Sequence, residues 1–498
     1  MAEALGSSLA RAAAGLPLAD ALAPRGVVER AADGVAFVAG LAGIAYEEIV
    51  SFDGGALGMA YDLREDTTGV LLLAGATRVA ARDGVRGTGR LLDIAVGPAT
   101  LGRVIDPLGR PLDDAGPLAG PRLPLFRPAP ELVERKAVDE PLWTGVAVID
   151  AAIPIGRGQR ELVIGDRNVG KTALATDVIT AQRRGDVTCV YVVIAQPMSR
   201  VLALREALRQ RGCLGNTAIV AADSGVTPGL RYLAPYAGAS VAEWFRDQGG
   251  HALVVYDDLT KHADAYRELS LLLDRPPGRE AYPGDVFYVH ADLLERAAPR
   301  RPEAGGGSVT ALPIVETTEG ELTAYIPTNV ISITDGQIHL DTRRFERNER
   351  PAVDVGRSVS RIGGAAQPPA MRLVAQSLRV LHARFEQLEA LARVGLEVDP
   401  AVEREIVRGR LLRALLRQDQ GSPRGVAEQV VGLLALGEGW LDRTAPDAAP
   451  QAVARLLERA RERVPDVVVA LDAGQIPAGE WRAALRELAA GLTSAEAP

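Results

Sequence analysis

The feature that most constrains this chain is an eight-residue turn with two glycines, a lysine and a threonine at fixed spacing. The turn reads Gly165, Asp166, Arg167, Asn168, Val169, Gly170, Lys171 and Thr172. An apolar run at 161–164 precedes it, and a stretch typical of a helix follows at 172–184. Strand, glycine-rich turn and helix in this order surround phosphate groups with backbone N–H groups. We therefore expect a P-loop in which Lys171 reaches the β- and γ-phosphates and Thr172 holds Mg²⁺.

An apolar run that ends in two aspartates supplies a second element of such a site. The run begins at His251 and ends at Asp257 and Asp258. A carboxylate at the end of a neighbouring strand is what the Mg²⁺ beside the phosphates requires. Alone, the run is a common strand end. Together with the P-loop, it predicts that Asp257 faces the metal, directly or through a water, and that Asp258 caps the next turn or helix.

A third strand-like run, 190–194, ends at Ala195, Gln196 and Pro197. Hydrolysis of a nucleotide needs a group that orients or deprotonates the attacking water, and a carboxylate often does this. A glutamine can hold a water but cannot accept its proton at neutral pH. The meaning of Gln196 therefore depends on the family to which the chain belongs.

Composition narrows the classes of function that are open to the chain. Its 498 residues suffice for roughly three domains. Hydrophobic residues make up 47% and charged residues 24%, as in soluble globular proteins. The formal net charge of -8 argues against a nucleic-acid partner, which usually needs a basic surface.

The cysteines and the apolar stretches indicate the compartment. Cys189 lies in an apolar run, so we expect a buried, reduced thiol and a reducing, cytoplasmic compartment. With neither a Cys-x-x-Cys pair nor a His-rich cluster, we expect no structural metal site. No secretory signal is evident, and the longest apolar stretch, 35–46, is too short to span a bilayer. Any association with a membrane should come through partner proteins.

Sequence patterning divides the chain into segments. Residues 1 to about 22 fit a short amphipathic helix or a frayed terminus equally well. Short apolar runs with glycine turns between Gly26 and Leu92 predict a small β-barrel or sandwich. The Gly- and Pro-rich stretch 97–130 reads as a linker with tight turns. From about 134 to 367 strand-like and helical stretches alternate, which predicts a parallel sheet covered by helices, and from Met371 onward the pattern is helical.

A series of long motifs then identifies a family. In chain order they are Pro154–Leu162, Tyr256–Lys261, Ser270–Leu273, Arg275–Glu280, Pro283–Tyr288, Pro327–Ile338 and Ser358–Arg361. With these motifs the sequence resembles the α subunit of the F-type ATP synthase over nearly its whole length. The resemblance implies a multidomain α/β protein with a six-stranded β-barrel, a central RecA-like P-loop sheet with helices and a C-terminal helical bundle. The expected segments are 1–25 (a stalk contact), 26–93 (barrel), 94–368 (nucleotide-binding domain) and 369–498 (helical domain).

The resemblance assigns roles to the residues already singled out. Members of the α family carry Asp-Arg in the P-loop, as Asp166 and Arg167 do here, and a glutamine, here Gln196, where the catalytic β subunit has the glutamate that activates water. This implies a site that binds ATP or ADP with Mg²⁺ and turns it over poorly or not at all. In the same family, the arginine of Ser-Val-Ser-Arg, here Arg361, reaches the phosphates bound by β, with Ser358 helping to position it.

The family also implies contacts to the adenine base of the nucleotide bound by this chain. Phe345, Arg350 and Pro351 match the segment before Ser-Val-Ser-Arg, and Gln418 and Gln420 match a Gln-x-Gln pair in the helical domain. An aromatic or proline face and two amides suit an adenine. Without the resemblance, both glutamines would read as solvated helix residues.

The implied assembly is a hexamer of alternating α and β subunits around a central γ stalk, with δ and b forming the peripheral stalk. It would couple ATP synthesis or hydrolysis to transport of protons or sodium ions. The complex would sit peripherally on the cytoplasmic face of the inner membrane through its ion-translocating sector, and no nucleic acid is implied.

Two alternatives belong to other classes of protein. A self-sufficient homohexameric motor, such as an export ATPase, keeps the P-loop but needs a catalytic carboxylate at or near position 196. A helicase of the Rho type needs a basic channel and aromatic stacking residues. Gln196 disfavours the first, and the acidic charge balance disfavours the second.

The sequence also departs from the α pattern in places. Asn168 and Val169 stand where the family usually has Gln-Thr, and Asp419 stands where lysine is usual. The segment Arg300–Gly307 is short, and the region before Val27 matches weakly, which makes the peripheral-stalk contact the least secure implication. Such differences are compatible with a divergent or second-copy enzyme.

Overall fold

The computed structural model describes residues 23–376, 378–393 and 399–493. The stretch 1 to about 22, expected as an amphipathic helix or a frayed terminus, lies outside these residues, as does nearly all of the segment 1–25. Within the described ranges, no helix is both long enough and apolar enough to cross a membrane.

The first described region is a closed antiparallel barrel of six strands. The strands are β1 (Arg25–Ala32), β2 (Val35–Ala39), β3 (Glu48–Phe52), β4 (Leu57–Leu63), β5 (Thr67–Ala74) and β6 (Gly84–Leu91). Their order around the barrel is β1-β2-β5-β4-β3-β6, and apolar side chains such as Val38, Val50 and Val70 fill the inside. Closure leaves no unpaired strand edge. Of the two architectures that the sequence left open, the structure has the barrel.

Twelve further strands follow in the part of the chain that the structure describes. They are β7 (Asp93–Ala95), β8 (Val104–Ile105), β9 (Arg122–Pro124), β10 (Pro141–Leu142), β11 (Ile155–Gly156), β12 (Glu161–Asp166), β13 (Val187–Gln196), β14 (Thr217–Asp223), β15 (His251–Asp257), β16 (Ser308–Thr317), β17 (Gly336–Leu340) and β18 (Val359–Ser360). Eight of them form one sheet in the order β18-β17-β12-β16-β15-β13-β14-β8. All neighbours in this sheet are parallel except β17 and β18, which confirms the predicted parallel sheet.

The stretch 97–130 is more than the linker that its composition predicts. β8 forms the edge of the main sheet, where Val104 pairs with Ile219 of β14. β9 pairs with β7 in a separate two-stranded sheet. The prediction of a linker is wrong at these two points because strands of two and three residues are too short to show an alternating pattern.

Helices cover both faces of the main sheet. They are α1 (Ala147–Ala152), α2 (Lys171–Ala181), α3 (Met198–Gln210), α4 (Pro228–Asp247), α5 (Leu259–Leu272), α6 (Val286–Glu295), α7 (Tyr325–Ile333) and α8 (Thr342–Glu346). Alternate residues of β13 enter two different cores: Tyr191 joins the core that contains α2, and Val192 joins the core that contains α4. This two-residue alternation is the expected geometry of a strand buried on both faces. Cys189 is buried on β13, as predicted.

The rest of the described chain is helical, as predicted from Met371 onward. The helices are α9 (Pro369–Ala375), α10 (Leu378–Arg393), α11 (Pro400–Leu416), α12 (Val426–Gly437), α13 (Ala449–Arg463), α14 (Pro465–Asp472) and α15 (Trp481–Thr493). Buried residues of α11, α12 and α13, such as Leu412, Val430 and Leu456, join the same core as the P-loop helix α2. The helical region therefore packs directly on the nucleotide-binding region. The segment boundaries at 25/26, 93/94 and 368/369 remain predictions.

Candidate functional site

Four adjacent strands of the main sheet, β12, β16, β15 and β13, bring their carboxyl ends to one edge. In open parallel sheets, ligands bind in the crevice outside these ends. A cavity of about 430 Å³ opens there. Its lining includes Lys171, Thr172, Tyr191, Gln196, Asp257 and Gln420. Residues predicted from three separate motifs and from the Gln-x-Gln pair therefore meet in one cavity.

The P-loop owes its shape to residues that tolerate positive φ. Asn168 has φ +65° and Gly170 has φ +101°, both in the left-handed region. Asparagine is one of the few residues other than glycine that adopts this conformation readily. Asn168, a departure from the family pattern, therefore suits the local backbone. Gly165 must lack a side chain because a Cβ there would clash with the carbonyl oxygen of Leu340.

Lys171 is the first residue of α2, and its ammonium group turns back over the loop. Its Nζ donates to the carbonyl oxygen of Gly165 at 2.8 Å and to that of Asp166. The side chain is buried, and this burial lowers the pKa of the ammonium. A buried cation held by oxygen acceptors inside a glycine turn fits the β- and γ-phosphates of a nucleotide.

A hydroxyl and a carboxylate converge where the metal is expected. Thr172 Oγ1 donates to Oδ2 of Asp257 at 2.9 Å. The Tyr191 hydroxyl donates to the same oxygen at 2.7 Å, and burial raises the pKa of Tyr191 well above its usual value, so it stays a donor. Hard oxygen ligands of this kind fit Mg²⁺. Sequence reasoning missed Tyr191, although a hydroxyl in an otherwise apolar strand was a signal.

A bulge at the end of β13 aims Gln196 at the cavity. The pairing of β13 with β14 shifts between Ile194 and Gln196, so Ala195 is an extra residue, and its φ is +51°. A β-bulge re-aims the side chain that follows it. Gln196 consequently faces the same side as Tyr191, and its Nε2 donates to the backbone oxygen of Asp257 at 3.2 Å.

Charged residues complete the rim, and two of them, Lys261 and Glu316, were not predicted as site residues from the sequence. Asp258 accepts from the backbone N of Lys261 at 2.8 Å and caps α5, which confirms its predicted capping role. Lys261 Nζ contacts the Asp258 carboxylate at 2.6 Å and lies 3.9 Å from Glu316. Arg167 pairs with Glu316 at 3.1 Å while its own side chain is 70% exposed.

The carboxylate of Asp166 accepts hydrogen bonds from groups within the protein. Oδ1 accepts from Thr317 at 2.6 Å and from the backbone N of Gly320 at 2.8 Å, and Oδ2 accepts from Thr342 at 2.9 Å. Burial favours the protonated acid, but these hydrogen bonds outweigh it and hold the pKa of Asp166 below its usual value. An ionised Asp166 thus ties the P-loop to β16 and α8.

The five residues expected near the adenine base separate into two groups. Gln420 lines the cavity of the P-loop, whereas Arg350, Pro351 and Gln418 line an adjacent cavity of about 870 Å³. The Arg350 guanidinium lies over the Phe345 ring at 3.6 Å from its centroid and donates to the Phe345 carbonyl at 2.6 Å. A nucleotide base beside this pair would therefore meet a stacked Phe–Arg surface.

Gln418 is bound by backbone groups on all sides. Its Nε2 donates to the carbonyl oxygens of Gly145 and Ser422, each at 2.7 Å, and its Oε1 accepts from the N of Ala147 at 3.1 Å. Its own backbone N donates to the Arg350 carbonyl at 2.8 Å. In this arrangement the Gln418 amide joins the helical region to the nucleotide-binding region, and Gln420 alone of the pair faces the P-loop cavity.

Arg361 and Ser358 lie away from this cavity, at the far edge of the sheet. Ser358 is buried; its Oγ donates to the Asp354 carbonyl at 2.6 Å and accepts from the N of His339 at 2.9 Å. The backbone N of Arg361 donates to the Asp335 carbonyl at 2.9 Å. The Arg361 side chain is exposed, and its guanidinium forms no hydrogen bond or ion pair with the described residues. The structure thus separates the predicted site residues into a cavity and an exposed cation.

Comparisons with known proteins agree with this geometry. Residues 145–360 match the family described as ATP synthase alpha/beta family, nucleotide-binding domain. Residues 367–491 match ATP synthase alpha/beta chain, C terminal domain. The chain is 53% identical over 450 residues to "ATP synthase subunit alpha 2" of Burkholderia thailandensis, covering 90% of this chain and 79% of the relative. It is 51% identical over 444 residues to the protein of the same name from Syntrophotalea carbinolica, covering 89% and 85%. With its closed barrel, P-loop sheet and helical C-terminal region, this chain belongs to the ATP synthase alpha subunit family.

Proposed function

We propose that this chain binds a magnesium nucleotide without turning it over and supplies Arg361 to the catalytic site of a neighbouring β subunit. The observation that carries the proposal is Gln196, which the bulge at Ala195 aims into the cavity beside Asp257. An amide at this place can orient a water but cannot take its proton. Binding and hydrolysis are thereby separated within one subunit.

In the proposed binding mode, the backbone of 165–170 surrounds the phosphates, and Lys171 gives up its carbonyl partners for phosphate oxygens. Thr172 and Asp257 would hold Mg²⁺, with Asp257 acting directly or through a water. The ion would supply charge neutralisation between the phosphate oxygens. Gln420 and the Phe345–Arg350 pair, with Pro351, would contact the base, while Gln418 keeps the helical region in place through its backbone hydrogen bonds.

The proposed role in trans rests on the exposed guanidinium of Arg361 and its fixed backbone. Asp335 accepts from the Arg361 backbone N and is itself paired with Arg160, whose guanidinium reaches its carboxylate at 2.8 Å. Ser358 fixes the preceding turn. A cation carried by such a firmly held backbone can stabilise the charge that spreads over a phosphoryl group during its transfer. This effect is worth about 10³–10⁵ in rate for arginine fingers.

One observation favours a second candidate function, hydrolysis by this chain alone. Glu316 lines the P-loop cavity and is a carboxylate that could act as a base. Its ion pair with Arg167 at 3.1 Å and the nearby Lys261 at 3.9 Å occupy its oxygens. The first proposal is therefore the better supported.

The proposed assembly follows from the family. We propose an alternating hexamer with β around a γ stalk, with δ and b as peripheral stalk, at the cytoplasmic face of the inner membrane. ATP synthesis or hydrolysis would be coupled there to proton or sodium transport. Relatives named "ATP synthase subunit alpha 2" support the proposal that the chain is an alternate copy.

The test compares the purified chain with the assembled complex. We expect the isolated chain to bind ATP with Mg²⁺ but to release phosphate no faster than buffer, and the complex with β and γ to hydrolyse it. Robust hydrolysis by the isolated chain would contradict the proposal. If Glu316→Gln then abolished that hydrolysis, the second candidate function would replace the first.

A further inference from the structure

Arg200 lines the P-loop cavity, and the binding mode proposed above leaves it without a role. It is the third residue of α3, the helix that begins directly after the strand end at Gln196 and Pro197. Its side chain is exposed, and its guanidinium forms no hydrogen bond or ion pair with the described residues. An arginine that faces a cavity with all its side-chain N–H donors unused is available to a ligand.

The other basic side chains in the lining of this cavity already have partners. Lys171 is held by two carbonyl oxygens of the P-loop. Arg167 pairs with Glu316 at 3.1 Å, and Lys261 contacts Asp258 at 2.6 Å. Of the four basic residues in the described lining, only the arginine on α3 therefore keeps its charge free.

The carboxylates of the lining do not supply the missing partner. Asp257 accepts from two hydroxyl groups, Asp258 caps α5 and contacts Lys261, and Glu316 pairs with Arg167. The first turn of α3 contains no acidic residue. A cation in the first turn is unfavourable beside the positive end of the helix dipole, and a nearby anion would offset this cost.

One face of α3 is turned to the cavity along two turns of the helix. It consists of Arg200, Ala203, Leu204 and Ala207, whose spacing of three and four residues is that of one helix face. Side chains on a helix lean toward its N-terminus, which here is the end that follows Gln196. The guanidinium is thus directed to the end of the cavity where Gln196 Nε2 lies 3.2 Å from the backbone oxygen of Asp257.

The anion expected at that end is the last phosphate of a nucleoside triphosphate. In the proposed binding mode, Lys171 reaches the β- and γ-phosphates, and Thr172 and Asp257 hold Mg²⁺ beside them. Gln196 stands where a water that attacks the γ-phosphate would lie. A diphosphate would leave this end of the cavity without an anion. The planar fork of a guanidinium matches the oxygens of a terminal phosphate.

We propose that Arg200 contacts the γ-phosphate and makes this cavity select nucleoside triphosphates over diphosphates. This role depends on the binding mode proposed above. Because the guanidinium meets an anion only when the third phosphate is present, it contributes to the affinity for ATP and not to that for ADP. The apolar remainder of the α3 face offers no second group that could make this distinction.

The experiment measures dissociation constants of the isolated chain for a non-hydrolysable ATP analogue and for ADP, both with Mg²⁺, by titration calorimetry. In Arg200→Ala, the affinity for the analogue should fall about tenfold, because a charge-assisted contact is lost, while the affinity for ADP stays within about twofold. Arg200→Lys keeps the charge without the fork and should lose about threefold for the analogue alone. Arg209→Ala is the matched control: Arg209 is 63% exposed on the same helix but lies outside the lining, so both affinities should stay at the wild-type values.

Two outcomes would overturn the role of Arg200. An equal loss of affinity for both nucleotides would put the guanidinium at another part of the ligand, and unchanged binding of the analogue would show that it contacts no phosphate. If Arg200→Ala did not fold in thermal unfolding assays, Arg200→Lys would test the same preference through a loss confined to the analogue. Failure of the proposed function is distinguishable, because the wild-type chain would then bind neither nucleotide or would itself release phosphate from ATP.

Discussion

The P-loop cavity and the finger segment, by which we mean residues 358–361 with the proposed arginine finger Arg361, differ in almost every respect. The cavity gathers side chains from four strand ends, and most of its polar atoms already have partners within the protein. The finger segment has a tightly bound backbone and an exposed guanidinium without a partner among the described residues. Under the proposed function, the first region is complete for binding but has an amide in the place of a base. The second would offer a charge for a reaction that takes place outside the cavity.

Under the proposed function, this difference would let one subunit divide a reaction with its neighbour. A site that only binds benefits from polar groups satisfied in advance, because unsatisfied buried groups are costly. A group that acts in another subunit's site must instead keep its own polar atoms available while its backbone stays rigid. Four experiments test this contrast.

The largest effect is expected from Arg361→Ala in the assembled complex. Turnover of ATP should fall by about 10³-fold or more, because the charge on the transferring phosphoryl group loses a stabilising cation. Phosphate release and native gel mobility would be measured together. Arg357→Ala is the matched control, since its side chain is 57% exposed and lies 3.8 Å from its nearest carboxylate. Equal losses of turnover in both variants would contradict a specific role of Arg361 in phosphoryl transfer.

A smaller effect is expected from Lys171→Ala in the isolated chain. The affinity for ATP should fall by about 10²-fold, because a buried cation contributes charge-assisted hydrogen bonds worth roughly 1.5–3 kcal/mol. Equilibrium binding of a fluorescent ATP analogue measures this. Lys136→Ala, which removes a partly exposed lysine paired with Asp139 and Glu140, should bind normally. Unchanged binding by Lys171→Ala would contradict the phosphate assignment.

The two glutamines of the Gln-x-Gln pair should separate stability from binding. Gln418→Leu removes a buried amide with three backbone partners and should lower the free energy of unfolding by about 2–3 kcal/mol. Gln420→Leu should weaken nucleotide binding a few-fold at nearly unchanged thermal stability. Thermal unfolding and nucleotide titration of both variants provide the comparison. If Gln420→Leu lost the greater stability, the division of roles between the two residues would be reversed.

The smallest effect concerns pH. Burial lowers the pKa of Lys171 in the free site, and bound phosphates would raise it again. As pH rises through the lowered pKa, Lys171 loses its proton in the free site while it would still be protonated in the nucleotide-bound site. Binding of the nucleotide must then take up a proton, so the affinity should fall with rising pH. Below that pH both states are charged and the affinity is flat. Titrations between pH 7 and pH 10 would check this, and Lys171→Arg should stay flat because arginine keeps its charge.

Much of this architecture was predictable from sequence because it rests on local patterns. The P-loop, the strand that ends at Asp257 and the helical C-terminal region each show a characteristic spacing or periodicity. Patterning alone left a barrel and a sandwich open for residues 26–92 and did not reveal the short strand β8, because pairing partners of short strands are set by tertiary contacts. The rim pair of Arg167 and Glu316 joins residues far apart in the chain, and no local pattern reveals such a contact.

The candidate site shows the same limit at single residues. Gln418 looked like a base contact by motif, but its hydrogen bonds run to Gly145, Ala147 and Ser422, which no spacing rule connects. Glu161 was predicted only as part of an apolar strand. Its alignment with Gly336 and Ser360 follows from the register of the sheet, which the sequence alone does not show.

The bulge at Ala195 also has a meaning for the history of such subunits. It turns position 196 into the cavity through the backbone, whichever side chain stands there. A gene duplicate of a catalytic ancestor would therefore need no new fold to become a binding subunit, and a change between glutamine and glutamate codons is a single nucleotide. Because the bulge is formed by the backbone, one substitution at position 196 would suffice to change between the two kinds of subunit, while the surrounding fold stays the same.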